Sequence, residues 1–386
     1  MSSAPPDDPG NSVAEACLTA VYHVGGPEVG ARAKADLICL DQTVEADADV
    51  LTADLRARIV GRIEEFRCVS SGRYEVRISY SGDLIGRDCT GLLNVLFGTS
   101  SLRSSVRLTS FDLAAPLLSR WRGPRFGLQG IRQAIGVHDR ALVCAVLKPL
   151  GRSHRELADL AFQFALGGVD LIKDDQALLD QPFCPFNERV VRCAEAVAKG
   201  AVQVGRPCLY LPHVSGPVDE MRRRAHWAKQ AGAGGLLVAP GLTGFDAFRA
   251  LAEDDTVALP IASHPSFLGS YAVQPNDGIA PAVLYGQLPR LAGADISIYP
   301  RYDIGYAMTK EDCSATAAAC RAPWQHIRPT LPTAAGRIGV EQVAELEPLY
   351  GPDVLFILGS RIQQDARGLL AATQHFMKEV ERYTRT

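Results

Sequence analysis

Residues 168–183 read Gly168-Val169-Asp170-Leu171-Ile172-Lys173-Asp174-Asp175-Gln176-Ala177-Leu178-Leu179-Asp180-Gln181-Pro182-Phe183. An apolar strand (Val169, Leu171, Ile172) runs straight into Lys173, Asp174, Asp175 and Gln176. A lysine beside two carboxylates at the mouth of a buried strand is costly to desolvate unless the charges are used. Oxygen donors at this density suit a hard cation such as Mg²⁺. The plain alternative is a solvated turn between a strand and a helix. The pattern on either side decides between them.

Working outward, apolar strand-like runs recur at 141–148, 169–174, 207–213, 235–240, 259–264, 294–300, 328–335 and 353–359. Helical patterns separate them, for instance at 155–166, 188–199, 219–230 and 340–349, and a last one spans 366–383. Eight strands, each followed by a helix, within roughly 250 residues is the count of a (β/α)8 TIM barrel. The strands are continuously apolar, as parallel strands buried on both faces are. A doubly wound sheet is the alternative, but Gly-x-Gly-x-x-Gly is absent after the first strand.

The first third reads differently. Strand-like runs at 17–23 and 34–40 precede a polar connection and the segment 51–61. Alternating strands at 61–69 and 74–79, the segment 92–97 and a strand at 104–111 follow. That mixture predicts a small α+β domain of the ferredoxin-like kind with a mostly antiparallel sheet. The expected division is a flexible polar tail over 1–16, the α+β domain over 17–120, and the barrel over 121–386, with its active site at the strand C-termini.

Composition narrows the function. The chain has 386 residues, 47% hydrophobic and 22% charged, with a net charge of −3. Lys and Arg form no long run, so nothing supports nucleic-acid binding. No stretch of about 18 uninterrupted apolar residues is present, so no membrane span is expected. The N-terminus lacks the basic and apolar regions of a signal peptide, and the ten cysteines show no Cys-x-x-Cys or zinc spacing. The cytoplasm is the expected location.

In barrels of this type chemistry sits at the C-terminal ends of the strands. Those ends carry Lys148-Pro149, then Lys173-Asp174-Asp175-Gln176, then Pro212-His213, Ser263-His264-Pro265 and Tyr299-Pro300-Arg301. Two lysines, two aspartates and two histidines are thus expected to face one mouth. Each alone has a structural explanation; their convergence favours a site. Strands seven and eight end in Ala335-Gly336-Arg337 and Gly359-Ser360-Arg361. Free backbone N–H groups there suit a phosphate, although a glycine also serves a turn.

Several of these segments resemble the large subunit of ribulose-bisphosphate carboxylase/oxygenase (RuBisCO) and its non-carboxylating relatives, the form IV RuBisCO-like proteins. The resemblance runs from about residue 17 onward. It rests on Lys173-Asp174-Asp175 followed by Asp180-Gln181-Pro182-Phe183, and on Val146-Leu147-Lys148-Pro149. Asn94-Val95-Leu96-Phe97-Gly98 and Cys39-Leu40-Asp41-Gln42-Thr43-Val44-Glu45 add to it. It implies that Lys173 is carbamylated by CO₂, that Lys173, Asp175 and Gln176 form a Mg²⁺ site, and that Lys148 is the acid or base at the substrate carbon. It further implies that His264 contacts substrate oxygens and that His213, Gly336, Gly359 and Ser360 bind substrate. Asn94 is expected to reach a neighbouring active site, which makes the unit a homodimer.

The departures are as informative. The family's metal-binding glutamate is Gln176 here, which lowers the charge offered to a metal. The arginine that follows the strand-five histidine is Pro265, Ile298-Tyr299-Pro300-Arg301-Tyr302 lacks the carboxylase's histidine, and the mobile-loop lysine has only Lys310 as a poor substitute. Arg337 stands where a glycine is expected and is predicted to narrow the pocket. The expectation is therefore an enolase or isomerase of a singly phosphorylated sugar-like ketone, of the methylthioribulose-phosphate salvage type, without carboxylation of ribulose bisphosphate. Released CO₂ would mark the alternative, a decarboxylase of a keto sugar-acid phosphate. Absence of Mg²⁺ binding and of substrate proton exchange would mark a catalytically weak phosphometabolite-binding protein.

Overall fold

The computed structural model describes residues 17–383; the expected flexible tail, 1–16, lies outside the described residues. The chain divides into two compact units. One runs to Trp121 and takes back Gln274–Val283, and the other comprises Arg122–Val273 and the chain from Leu284.

The first unit is built on β1 (Cys17–Gly25), β2 (Arg62–Ser70), β3 (Arg73–Ser81) and β4 (Val106–Leu113). β1 pairs antiparallel with both β3 and β4, and β2 with β3. Helices Glu28–Asp41 and Cys89–Phe97 lie between β1 and β2 and between β3 and β4, giving the βαββαβ order of a ferredoxin-like unit. A fifth strand, Gly278–Ile279 (β10 in chain order), runs parallel to β4.

The strand expected over 34–40 is corrected here, since these residues belong to the helix Glu28–Asp41. Its buried residues are Ala31, Ala35, Ile38 and Cys39, the stripe of one helix face. The local run Leu37-Ile38-Cys39-Leu40 looked strand-like only because Leu37 is apolar yet exposed. In the helix Cys89–Phe97, the Asp88 carboxylate accepts from the Gly91 N–H and caps its start. The buried Gln42 amide donates to the Asn94 and Val95 carbonyls, each at 2.9 Å, and so fixes the end of that helix. Asn94 itself presents an exposed side chain.

The second unit carries the expected eight parallel strands. They are β5 (Leu142–Leu147), β6 (Leu171–Asp174), β7 (Leu209–Leu211), β8 (Leu236–Val238), β9 (Ile261–Ser263), β11 (Ile296–Ser297), β12 (Leu331–Ala335) and β13 (Leu355–Leu358). They run side by side in the order β7-β6-β5-β13-β12-β11-β9-β8. A backbone bridge between His213 and Leu237 brings β7 to β8 and nearly closes the barrel.

Side chains alternate along each strand, so every second residue points inward. Cys144 and Val146 of β5, Leu171 of β6, Leu211, Leu237, Ala262, Ile296, Leu331 and Ile357 meet in one buried cluster. β5 and β6 pair Cys144 with Leu171 and Val146 with Lys173. That register puts Lys173 in the inward row, one layer above Leu171, and turns Asp174 outward. The helix Phe186–Val204 covers this side of the barrel and buries Arg189 completely.

Candidate active site

A cavity of about 520 Å³ opens where the barrel strands end. Val146, Lys148, Lys173, Gln176, His264, Gly336, Gly359 and Ser360 are among its lining residues, so seven of the residues singled out by sequence meet in one place.

Lys173 is 3% exposed, and its Nζ donates to the Asp174 carbonyl oxygen at 3.1 Å. Burial disfavours its ammonium form and lowers its pKa; Asp175 opposes that shift and the Lys148 charge adds to it. A lysine shifted this way presents more free amine, the form that reacts with CO₂ to give a carbamate. Lys148 Nζ lies 3.1 Å from Asp175 Oδ2, with the Lys148 side chain 29% exposed and that of Asp175 10%. The Lys148 carbonyl oxygen accepts from Gln363 Nε2 and the other Asp175 oxygen accepts from the Ala177 N–H, which holds both strand ends in register.

Two sequence expectations need correction. Asp174 does not face the mouth. Its carboxylate accepts from Arg189 Nε at 3.1 Å, from the Tyr210 hydroxyl at 2.8 Å and from the His213 N–H at 3.0 Å. The alternation that turns Lys173 inward turns its neighbour toward the helix layer, where a buried arginine neutralises it. His213 is fully buried and is not a lining residue of the cavity. Its Nε2 is bonded to Ser215 Oγ at 2.8 Å, while Nδ1 has no partner. Burial, with the Lys173 and Arg189 charges, pushes its pKa down to about 3, so it is neutral. Asn94 belongs to the other unit and is not among the lining residues.

His264 does line the cavity. The Ser266 backbone N–H donates to its Nδ1 at 3.2 Å. A backbone N–H can only donate, so Nδ1 is unprotonated and Nε2 carries the ring proton. Burial, reinforced by the Lys173, His213 and Lys148 charges, holds its pKa well below the usual histidine value. This imidazole is a neutral hydrogen-bond donor, not a cation.

At the other end of the cavity, Gly336 has φ +107 and the Arg301 guanidinium donates to its carbonyl oxygen at 3.0 Å. That backbone conformation favours glycine, and a Cβ there would also displace the tip of the Ile304 side chain. Gly359 and Ser360 open the short 3-10 turn Ser360–Gln364. Sequence reasoning missed the apolar wall formed by Phe267, Val273, Tyr306 and Met308 from the loops after β9 and β11, with Tyr285 added from the helical segment Ala282–Gln287. These residues show no periodicity because separate segments contribute them.

The donor set for a metal is thin. Among the described residues no group of three His, Cys, Asp or Glu side chains is placed to hold an ion. Asp175 offers one carboxylate and Gln176 a neutral amide. A carbamate on Lys173 would supply a second anionic oxygen donor, and with it the set fits a hard cation.

Comparison with known proteins follows the same lines. The family profile of the ribulose bisphosphate carboxylase large chain, catalytic domain, matches residues 127–373. A ribulose bisphosphate carboxylase-like protein 1 from Rhodopseudomonas palustris is 36% identical over 95% of this chain and 96% of its own length. A 5-methylthioribulose-1-phosphate isomerase from Rhodospirillum rubrum is 35% identical over 94% of this chain and 96% of its own. The crystal structure of a Rubisco-like protein from Rhodopseudomonas palustris superposes with a TM-score of 0.88 at 36% identity, covering 96% of this chain and 99% of that one. With the barrel, the Lys173-Asp174-Asp175 strand end and the glycine turns in place, the chain belongs to the RuBisCO large-chain family and, within it, to the RuBisCO-like proteins.

Proposed function

We propose that this protein is an enolase or isomerase that moves a proton alpha to the carbonyl of a singly phosphorylated, sugar-like ketone of the methylthioribulose-phosphate kind, and that it does not carboxylate ribulose bisphosphate. The observation that carries this reading is the Lys148–Asp175 pair at 3.1 Å, beside a buried Lys173 in the same cavity as two glycine turns. The isomerase named among the relatives supports the same class of reaction.

Lys148 is the acid–base group: as the free amine it takes the proton from the carbon alpha to the carbonyl, and as the resulting ammonium, paired with Asp175, it returns a proton to the neighbouring carbon. Asp175 fixes the lysine's position before substrate arrives. His264 donates from Nε2 to the substrate oxygen on which negative charge develops; its lowered pKa means the ring is neutral, and a neutral imidazole is too weak an acid to give up its N–H proton. Gly336, Gly359 and Ser360 receive the phosphate on backbone N–H groups. Carbamylated Lys173, Asp175 and Gln176 would hold Mg²⁺, which supplies positive charge against the enediolate when bound. Pro265 lines the cavity where the resemblance calls for an arginine, so a second phosphate has no grip there.

The functional unit in this reading is a homodimer, with Asn94 of one protomer completing the partner's site. Its exposed position on a helix held by Gln42 supports that role. Incubation with methylthioribulose 1-phosphate in D₂O tests the chemistry. Wild-type protein should wash deuterium into the substrate and the Lys148→Ala variant should not; exchange that survives in the variant rules the mechanism out. Mixing Asn94→Ala chains with Lys148→Ala chains should restore part of the activity, because a mixed dimer then holds one intact site.

A further inference from the structure

The charge of the cavity wall is one-sided. Lys148, Lys173, Arg337 and Arg361 line it, and no aspartate or glutamate does. Lys148 is matched by Asp175 just behind the wall, and burial drives Lys173 toward its neutral amine. Of the two arginines, Arg337 has no such compensation and Arg361 has only a solvent-exposed partner. Arg337 is exposed and, among the described residues, makes no hydrogen bond or ion pair. Arg361 Nη1 donates to Gln342 Oε1 at 3.3 Å, and its Nη2 lies 3.7 Å from Glu341 Oε2, with the two side chains 55% and 74% exposed. A pair that open to water neutralises little.

The backbone at Arg337 points the same way. Its φ is +50, the left-handed region that glycine enters freely and arginine does not. The turn is braced, since the buried Arg301 donates from its side chain to the Gly336 carbonyl and from its N–H to the Ala335 carbonyl. A glycine would relax this backbone, and what arginine adds in exchange for the strain is a guanidinium at the cavity wall.

We propose that Arg337 and Arg361 form a two-guanidinium clamp for a dianionic phosphate monoester, so that the ligand's charge, and not only the shape of the glycine turns, sets specificity. Guanidinium groups meet phosphate oxygens in forked, charge-assisted hydrogen bonds that backbone N–H groups cannot match. The clamp rests on the phosphorylated ligand of the proposed function and deepens it. Both residues are specificity determinants; neither takes part in proton transfer.

Calorimetric titration with inorganic phosphate at constant ionic strength tests it without any turnover. Each of Arg337→Gly and Arg361→Gln should weaken binding about tenfold or more, the scale of one charge-assisted hydrogen bond, and the double variant should bind no measurable phosphate. Arg337→Gly should also melt at a higher temperature than wild type, which separates lost binding from damage to the fold. In the exchange assay the single variants should raise KM and leave kcat nearly unchanged. Wild-type-like phosphate binding by the double variant, or no saturable binding by wild type, overturns the clamp. Binding lost in the double variant while wild-type protein shows no deuterium exchange keeps the clamp and discards the enolase reading.

Discussion

The two ends of the cavity are built by opposite means. At the end of β6 Lys173, Asp174 and Asp175 are buried, and hydrogen bonds and ion pairs with neighbouring groups hold them. Asp174 is locked by Arg189, Tyr210 and the His213 N–H, so the strand end cannot rotate, and Lys173 stays inward. At the ends of β12 and β13 the cations reach into solvent and the backbone does the positioning, through positive φ at Gly336 and Arg337. Burial lowers the pKa of both Lys173 and His264, which leaves a neutral imidazole donor and more free amine on Lys173 at this end. Gripping a phosphate needs net positive charge and N–H groups in reach, and solvent exposure does not spoil either. The chemistry end is therefore fragile to loss of a partner, whereas the anion end tolerates change and loses only affinity.

That contrast can be broken at four points. Lys148→Ala should lower deuterium exchange by about 10²–10⁴-fold, the usual range for a general acid–base group, with a fold unchanged by circular dichroism. Arg189→Met, far from substrate, leaves Asp174 buried without its cation and should cost about 3–5 kcal/mol in urea unfolding. A loss below about 1 kcal/mol would show that this network does not hold the strand ends. Gln176→Glu adds the missing carboxylate and should tighten Mg²⁺ binding by about tenfold in bicarbonate buffer, on the scale that ligand-shell changes have. Unchanged affinity would remove Gln176 from the metal site.

The smallest effect is a pH dependence. Lys173 titrates below the ordinary lysine value in the folded chain because burial penalises its ammonium form. Between that lowered value and about 10.4 the unfolded chain holds a proton that the folded chain does not, so this residue's contribution to stability rises with pH across the window. Lys173→Met removes the titration. In bicarbonate-free buffer the variant should be the more stable protein below the window, and the gap should narrow as pH rises toward about 10. A gap that stays constant with pH would mean that Lys173 is not the buried, shifted group described above.

Much of the barrel was legible in sequence because its parallel strands are apolar throughout and recur between helical patterns. Lys148, Lys173 and His264 were legible for a related reason, since each ends such a run, where the fold places chemistry. The run at 34–40 was misread because four adjacent apolar residues fit a strand or one face of a helix equally well. The decisive spacing includes Ala31, outside the run. Asp174 was misplaced because adjacent carboxylates look equivalent in a sequence, and only the β5–β6 register separates inward from outward. Its partner Arg189 lies on the following helix and carries no local signal of burial. Arg337 was noticed as a departure expected to narrow the pocket; its place among the cavity-lining residues and its positive φ were not legible in the sequence.

The sequence by itself determined the alternation that makes a barrel, the identity of the groups at its strand ends, and the loss of a carboxylate at Gln176. These are properties of local pattern and residue type. Tertiary structure decided which of those groups share a cavity, which are neutralised behind it, and which cations stay exposed at its wall. Those outcomes depend on register, burial and distance between residues far apart in the chain, and electrostatic energies change steeply with all three.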